Sequence, residues 1–255
     1  MRIGVLSALL CAAAAQAQLA PTGTLRAVFL QTNPVQGRVD ANTSAITGPA
    51  VDLARELGRQ LGVPVSVTPV SGPKAVIESL KNRTADIGFL AYDATRATEV
   101  DFSHVYAFSW SSYIVPANSP LQVVADVDRK GTRVGSTTGD SPELYLSRNL
   151  KKAELKQYGS LRPEEVLRML AAGEIDAWAA NRQRLIEMAA ADKSTRVLRD
   201  NFFAVQQAIV VAKGDDAALD TVNRFIEAAR ASGLIKKAIV AAGLGRSVDV
   251  APGKP

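Results

Sequence analysis

Residues 48–91 read GPAVDLARELGRQLGVPVSVTPVSGPKAVIESLKNRTADIGFLA, and the alternation of periods in this stretch sets the fold class. From Gly48 to Leu61 the apolar residues Val51, Leu53, Ala54, Leu57 and Leu61 fall on one side of a helix, with Arg55, Glu56 and Arg59 outside. Val63 to Val70 is β-prone, Pro73 to Lys81 is again helical with Val76, Ile77 and Leu80 inward, and Asp86 to Ala91 reads as a buried strand. Upstream, Leu25 to Leu30 reads as a first strand. Strand–helix–strand–helix–strand is the order of a parallel α/β layer.

Downstream the pattern changes and then repeats. Tyr106 to Val115 is one long aromatic β-prone run. A second α/β set follows: strand Arg133 to Ser136, helix Pro142 to Asn149, strand Glu154 to Tyr158, helix Pro163 to Ala171, strand Ala177 to Ala180, helix Arg182 to Ala190. Gln206 to Ala212 is β-like once more and precedes Lys213-Gly214 and an amphipathic helix from Ala217 to Ser232, closed by Gly233. Two α/β units joined by two extended runs predict a first lobe of residues 18–107 plus 208–255 and an inserted second lobe of 108–207, with a ligand cleft between them. A single Rossmann-like domain is the competing architecture. The segment after the first strand, Phe29-Leu30-Gln31-Thr32-Asn33-Pro34, lacks the Gly-x-Gly-x-x-Gly that would support it.

The front of the chain reads as an export signal over residues 1–17. Arg2 precedes an uncharged apolar run from Ile3 to Ala15, and Ala15-Gln16-Ala17 is a small-x-small cleavage pattern. That run is too short to span a bilayer about 30 Å thick. Cys11 lies inside it and is the only cysteine, so the mature chain is expected to have no thiol chemistry, no thiolate metal site and no disulfide. Export places the mature protein in the periplasm, as a soluble monomer.

Formal charge is +5, from 30 basic and 25 acidic residues. The basic residues are scattered, and the densest groups, Lys151-Lys152 and Arg182 to Arg184, lack an interleaved aromatic stripe. Scattered positive charge sets solubility and steers small anions, so nucleic acid is not an expected partner. No metal cluster or cofactor motif is present, and His104 is the single histidine, with no nucleophile to pair with.

The stretch Ala85-Asp86-Ile87-Gly88-Phe89, then Thr95-Arg96, then Val100-Asp101-Phe102-Ser103-His104-Val105-Tyr106 resembles the periplasmic solute-binding proteins of the amino-acid-binding class, family 3. Supporting matches are Gly48 to Ala54, Gly173-Glu174-Ile175-Asp176-Ala177 and Lys213-Gly214. The resemblance runs from about Thr24 to Leu244. It implies a type II periplasmic binding fold, two Rossmann-like lobes on a two-stranded hinge (a Venus flytrap). It also implies a non-enzymatic role as the substrate-binding component of an ABC transporter, delivering an amino acid or related small carboxylate to an inner-membrane permease. The alternative on the same fold is a periplasmic lyase of the cyclohexadienyl dehydratase kind. A ligand-sensing module would be expected to carry a further membrane span and signalling domain, and the sequence to Pro255 reads as neither.

The resemblance also assigns residues. Arg96 stands where the family clamps a ligand carboxylate, a fit for the paired donors of a guanidinium. Thr138 and Gly139, in the loop Gly135-Ser136-Thr137-Thr138-Gly139-Asp140-Ser141-Pro142, stand where the family holds the other side of that carboxylate at a helix start. Tyr92, Asp93 and Asn33 complete the candidate contacts, and Phe89, Trp110 and Trp178 are softer aromatic candidates. The sequence departs from the family in three places. Asn181 stands where an Asp usually pairs with the ligand's α-ammonium, no acid follows the first strand, and the turn Leu90 to Thr95 is short. Either Asp93 supplies the anion from a new position, or the ligand carries no α-ammonium.

Overall fold

A computed structural model describes residues 19–253, and the segment read as an export signal lies outside them. The described chain separates into two compact units, one running up to Phe108 and resuming at Gln206, the other comprising Ser109–Val205.

In the first unit, β1 (Leu25–Leu30) lies between β4 (Val65–Val70) and β5 (Ile87–Ala91), all parallel. The distal half of β12 (Phe203–Ala212) adds antiparallel to β5, and β6 (Val100–Phe102) adds antiparallel to β12. Helices cover both faces of this sheet. Along β5 every side chain is buried and successive residues enter opposite cores. Ile87 and Phe89 join Leu53, Leu57, Phe225 and Ile226 from α1 (Pro49–Leu61) and α6 (Asp216–Ala231), while Leu90 joins Val76, Ile77 and Leu80 of α2 (Pro73–Lys81). The apolar stripes read from the sequence are the faces that pack. Proline opens α1 and α2, where its fixed φ suits the first turn and its missing N–H costs nothing.

The second unit repeats the plan. Parallel β8 (Arg133–Thr137) lies between β9 (Glu154–Tyr158) and β10 (Ala177–Asn181), and β7 (Ala107–Pro116) runs antiparallel beside β10. Ala177 and Ala179 face the core that includes Leu146 of α3 (Ser141–Asn149). Trp178 and Ala180 face Val166, Met169 and Leu170 of α4 (Pro163–Ala171) and Leu185 and Met188 of α5 (Arg182–Ala191). Trp178 is cross-strand partner to Gly135 and its ring lies over that glycine; a Cβ there would sit 2.5 Å from the ring edge.

One hydrogen-bond pattern occurs in both units. Asp86, just before β5, accepts from the Arg26 backbone N–H at 2.8 Å, from Arg26 Nε at 3.1 Å and from Nη2 at 2.6 Å, and its own N–H donates to the Arg26 carbonyl at 2.8 Å. Asp176, just before β10, does the same with Arg133 at 2.7, 3.0 and 2.9 Å, with the return bond at 2.9 Å. Each fork locks two neighbouring parallel strands at their amino-terminal edge.

Several elements were not legible in the sequence. A hairpin of β2 (Arg38–Val39) and β3 (Ile46–Thr47), the short strands β6, β11 (Thr195–Val197) and β13 (Val248–Val250), and helix α7 (Leu234–Ala241), barely two turns long, are too short for a period to stand out. Gly233 does end α6, but α7 starts on the next residue. No described helix is long and apolar enough to cross a membrane.

Two predictions follow from packing and charge. Gly135→Ala is expected to destabilise the protein by about 1–3 kcal/mol in urea unfolding, because the fully buried Trp178 ring has no room to withdraw. Asp176→Asn is expected to cost about 1–2 kcal/mol at neutral pH, a modest figure because both side chains are 35% exposed. The Arg133 side chain's hydrogen bonds hold the Asp176 carboxyl below its ordinary range despite partial burial. Its stabilisation is therefore present above the unfolded value and is lost as pH falls through the folded one. The gap between wild type and Asp176→Asn is expected to close below about pH 4.

Candidate ligand-binding site

At the carboxyl edge of the first unit's sheet the chain leaves β5 through a tight turn. Tyr92 comes first and is 44% exposed, its ring edge-on to Phe102 with centroids 5.2 Å apart and its N–H tied to the Gln206 carbonyl. Asp93 is buried and its Oδ1 accepts from the Thr95 N–H at 2.9 Å. Arg96 opens a single 3-10 turn, is only 7% exposed, and donates from Nη1 to the Ala91 carbonyl at 3.0 Å. The guanidinium thus reaches back to the end of β5. Asn33 lies in the turn after β1, half-buried, with Oδ1 accepting from the Val35 N–H at 3.2 Å. Behind that turn lie two polar residues not singled out from the sequence. Gln36, with no exposed surface, accepts from the Leu30 N–H at 2.9 Å and donates to Gln207 Oε1 at 3.3 Å. The pair Gln206-Gln207 inside a mostly apolar strand was the available signal.

The Asp-Phe-Ser motif turns out to be architectural. Asp101 accepts from Lys213 Nζ at 2.6 Å and from the Gly214 N–H at 2.7 Å, so the two distant matches Asp101 and Lys213-Gly214 bind one another. Burial pushes the Asp101 carboxyl up, but those donors outweigh it and its pKa is lowered. Ser103 accepts from the Ile209 N–H at 3.0 Å. His104 is pinned to α6, its Nδ1 2.7 Å from Glu227 and its N–H donating to Asn223.

In the second unit the carboxyl edges of β8 and β10 carry the remaining candidates. The strands are registered Ala179 to Ser136, so two residues further on Asn181 and Thr138 leave the sheet as neighbours. The Thr138 N–H and hydroxyl both donate to the Tyr158 carbonyl, at 2.8 and 2.9 Å. Gly139 has φ 77°, a left-handed conformation that suits glycine, and its N–H donates to Glu143 Oε2 at 2.9 Å. Glu143, only 2% exposed, also accepts from Gln157 Nε2 at 2.7 Å. It is the third residue of α3, where a glutamate commonly reaches back to cap the helix start, and that spacing was its sequence signal. Asn181 caps α5, with Oδ1 accepting from the Gln183 N–H at 2.9 Å.

Two of the aromatic candidates are core residues: Phe89 and Trp178 have no exposed surface. Trp110 is half-buried in β7. Among the described residues no three His, Cys, Asp or Glu side chains are placed to hold a metal ion.

The chain is 24% identical over 194 residues to the L-cystine-binding protein TcyJ of Escherichia coli (strain K12), covering 75% of this chain and 72% of that one. Among solved structures, the solute receptor for L-cysteine of Neisseria gonorrhoeae superposes with a TM-score of 0.77 at 22% identity, covering 93% of this chain and 99% of the other. An amino acid ABC transporter substrate-binding protein from Streptococcus pneumoniae Canada MDR_19A, bound to L-arginine, gives 0.74 at 19% identity, covering 89% and 97%. These likenesses bear out the expected α/β periplasmic-binding fold. The family model for bacterial extracellular solute-binding proteins, family 3, matches residues 25–240, and the chain belongs to that family.

Proposed function

We propose that this protein is the exported, substrate-binding component of an ABC transporter. It captures an amino acid or related small carboxylate in the periplasm and hands it to an inner-membrane permease, acting as a monomer without a cofactor. The observation that carries the reading is Arg96: a guanidinium only 7% exposed, at the carboxyl edge of a mostly parallel sheet, where ligands of open α/β folds collect. Burial strengthens a bidentate guanidinium–carboxylate pair by excluding water from it. A sequence relative is described as an L-cystine-binding protein and a structural neighbour as an amino acid ABC transporter substrate-binding protein bound to L-arginine, which favours a carboxylate-bearing solute.

In this reading Arg96, Tyr92, Asp93 and Asn33 form the first lobe's share of the contacts, residues 18–107 plus 208–255. Thr138, Gly139 and Asn181 are the second lobe's candidate contacts, residues 108–207. Residues 1–17 would direct export. The Gly139 N–H already holds the Glu143 carboxylate, so in this state the second lobe offers an anion fewer backbone donors than an unoccupied helix start would.

The test is a thermal-shift screen of the mature protein against amino acids and their deaminated counterparts. A true ligand at about 100 times its Kd stabilises the wild type by about 2.7 kcal/mol. Arg96→Ala is expected to abolish that gain, and undiminished stabilisation of the variant would refute the clamp.

A further inference from the structure

Two asparagines of the first unit head an Asn-x-Ser/Thr tripeptide with no proline in the middle: Asn42-Thr43-Ser44 and Asn82-Arg83-Thr84. In an exported protein this is the acceptor pattern for N-linked glycosylation, and it belongs on a surface loop. So short a pattern also arises by chance, and the way each tripeptide is held separates the two.

Asn42 lies in the loop of the β2–β3 hairpin, where every residue from 38 to 45 is exposed. The hairpin strands pair only with each other, Arg38 with Thr47 and Val39 with Ile46, in a sheet apart from the main one. A ribbon of two residue pairs opens at little cost and carries no other strand with it. Inside the loop Asp40 Oδ1 accepts from the Asn42 N–H at 2.9 Å and from the Thr43 N–H and hydroxyl at 2.8 and 2.9 Å. Those bonds occupy backbone donors and the middle residue. The two groups that the transfer needs, the Asn42 side-chain amide and the Ser44 hydroxyl, have no hydrogen-bond partner among the described residues.

Asn82 is exposed as well, but its tripeptide is built into the end of α2. The Asn82 N–H donates to the Glu78 carbonyl at 2.9 Å and the Arg83 N–H to the Leu80 carbonyl at 3.1 Å. The Thr84 N–H and hydroxyl both donate to the Ser79 carbonyl, at 2.9 and 3.1 Å. Two residues later stands Asp86, bound to Arg26. Drawing this tripeptide into an enzyme's site would unwind the helix end, break the bond of the required hydroxyl and pull on the lock between β1 and β5.

Resting on the export proposed above, we propose that Asn42 is an N-glycosylation site and that Asn82 is not. The donor is an oligosaccharide carried on a polyprenyl diphosphate, and the catalyst is a membrane-bound oligosaccharyltransferase acting outside the cytoplasm. Asn42 Nδ2 attacks the anomeric carbon of the first sugar. An N–C bond forms, the C–O bond to the diphosphate breaks, and polyprenyl diphosphate leaves with the electron pair. One amide proton passes to a base of the transferase, and nothing is oxidised or reduced.

The experiment expresses the full chain in cells that hold such a transferase with its lipid-linked oligosaccharide, and in matched cells without the transferase. One form keeps residues 1–17 and a second replaces them with a proven secretory signal. Protein recovered from the periplasm is weighed by intact-mass spectrometry. The wild type is expected to gain the mass of one oligosaccharide, in transferase-bearing cells alone. That gain is expected to be lost in Asn42→Gln and in Ser44→Ala and kept in Asn82→Gln. The two hairpin variants are expected to unfold at the wild-type temperature, because both side chains are exposed. An exported wild type at its unmodified mass overturns the inference, and so does a glycan that persists in Asn42→Gln. Export is read separately. If residues 1–17 leave the chain in the cytoplasm while the proven signal yields protein glycosylated at Asn42, the export reading fails and the site stands.

Discussion

Each unit depends on one carboxylate bound by both the backbone and the guanidinium of a single arginine. Asp86 on Arg26 and Asp176 on Arg133 make the same three contacts and the same return bond. Parallel strands are not joined by tight turns, so their register must be set by something other than the connection. A fork whose oxygens take the backbone N–H and the side chain of one residue permits only one alignment. A slip by one position would also turn the alternating core residues of β5 and β10 to the wrong faces.

Locking the amino-terminal edges leaves the opposite edges for other work. In the first unit β1 and β5 end at Asn33 and at the Tyr92–Arg96 turn; in the second, β8 and β10 end at Thr138–Gly139 and at Asn181. Much of the polar chemistry at these edges is already committed. The Thr138 donors share one carbonyl, a buried glutamate holds the Gly139 N–H, and both asparagine oxygens close their own turns. What remains turned outward is therefore more informative than the residue types. An asparagine read from sequence is ambivalent between donor and acceptor; an asparagine that caps a helix is not.

The motifs that make the family recognisable divide between roles. Arg96 sits buried at the carboxyl edge of the first unit's sheet, bonded to the Ala91 carbonyl. Asp101, Ser103, Lys213 and Gly214 build the scaffold instead, tying β6 to β12 and to the loop that follows it. Asp86 and Asp176, within two of the quoted stretches, are the register locks. The hydrogen bonds of these residues hold the sheet of their own unit together.

From the sequence alone came the alternation of strand and helix, its repetition in a second α/β set, and the inward faces of α1 and α2, because periodicity is a property of contiguous residues; Arg96 was named there only as a candidate, from a local motif. The short strands stayed hidden, since a few residues cannot display a period and pairing alone makes them strands; α7 stayed hidden because eight residues give barely two turns of one. The interior position of Phe89 and Trp178, the pairing of Asp101 with Lys213 and the seat of Glu143 beneath Gly139 were decided only by tertiary structure. The direction of the Asn181 amide belongs with them. Which atoms a polar group faces depends on partners brought to it by folding, and composition carries no record of that direction.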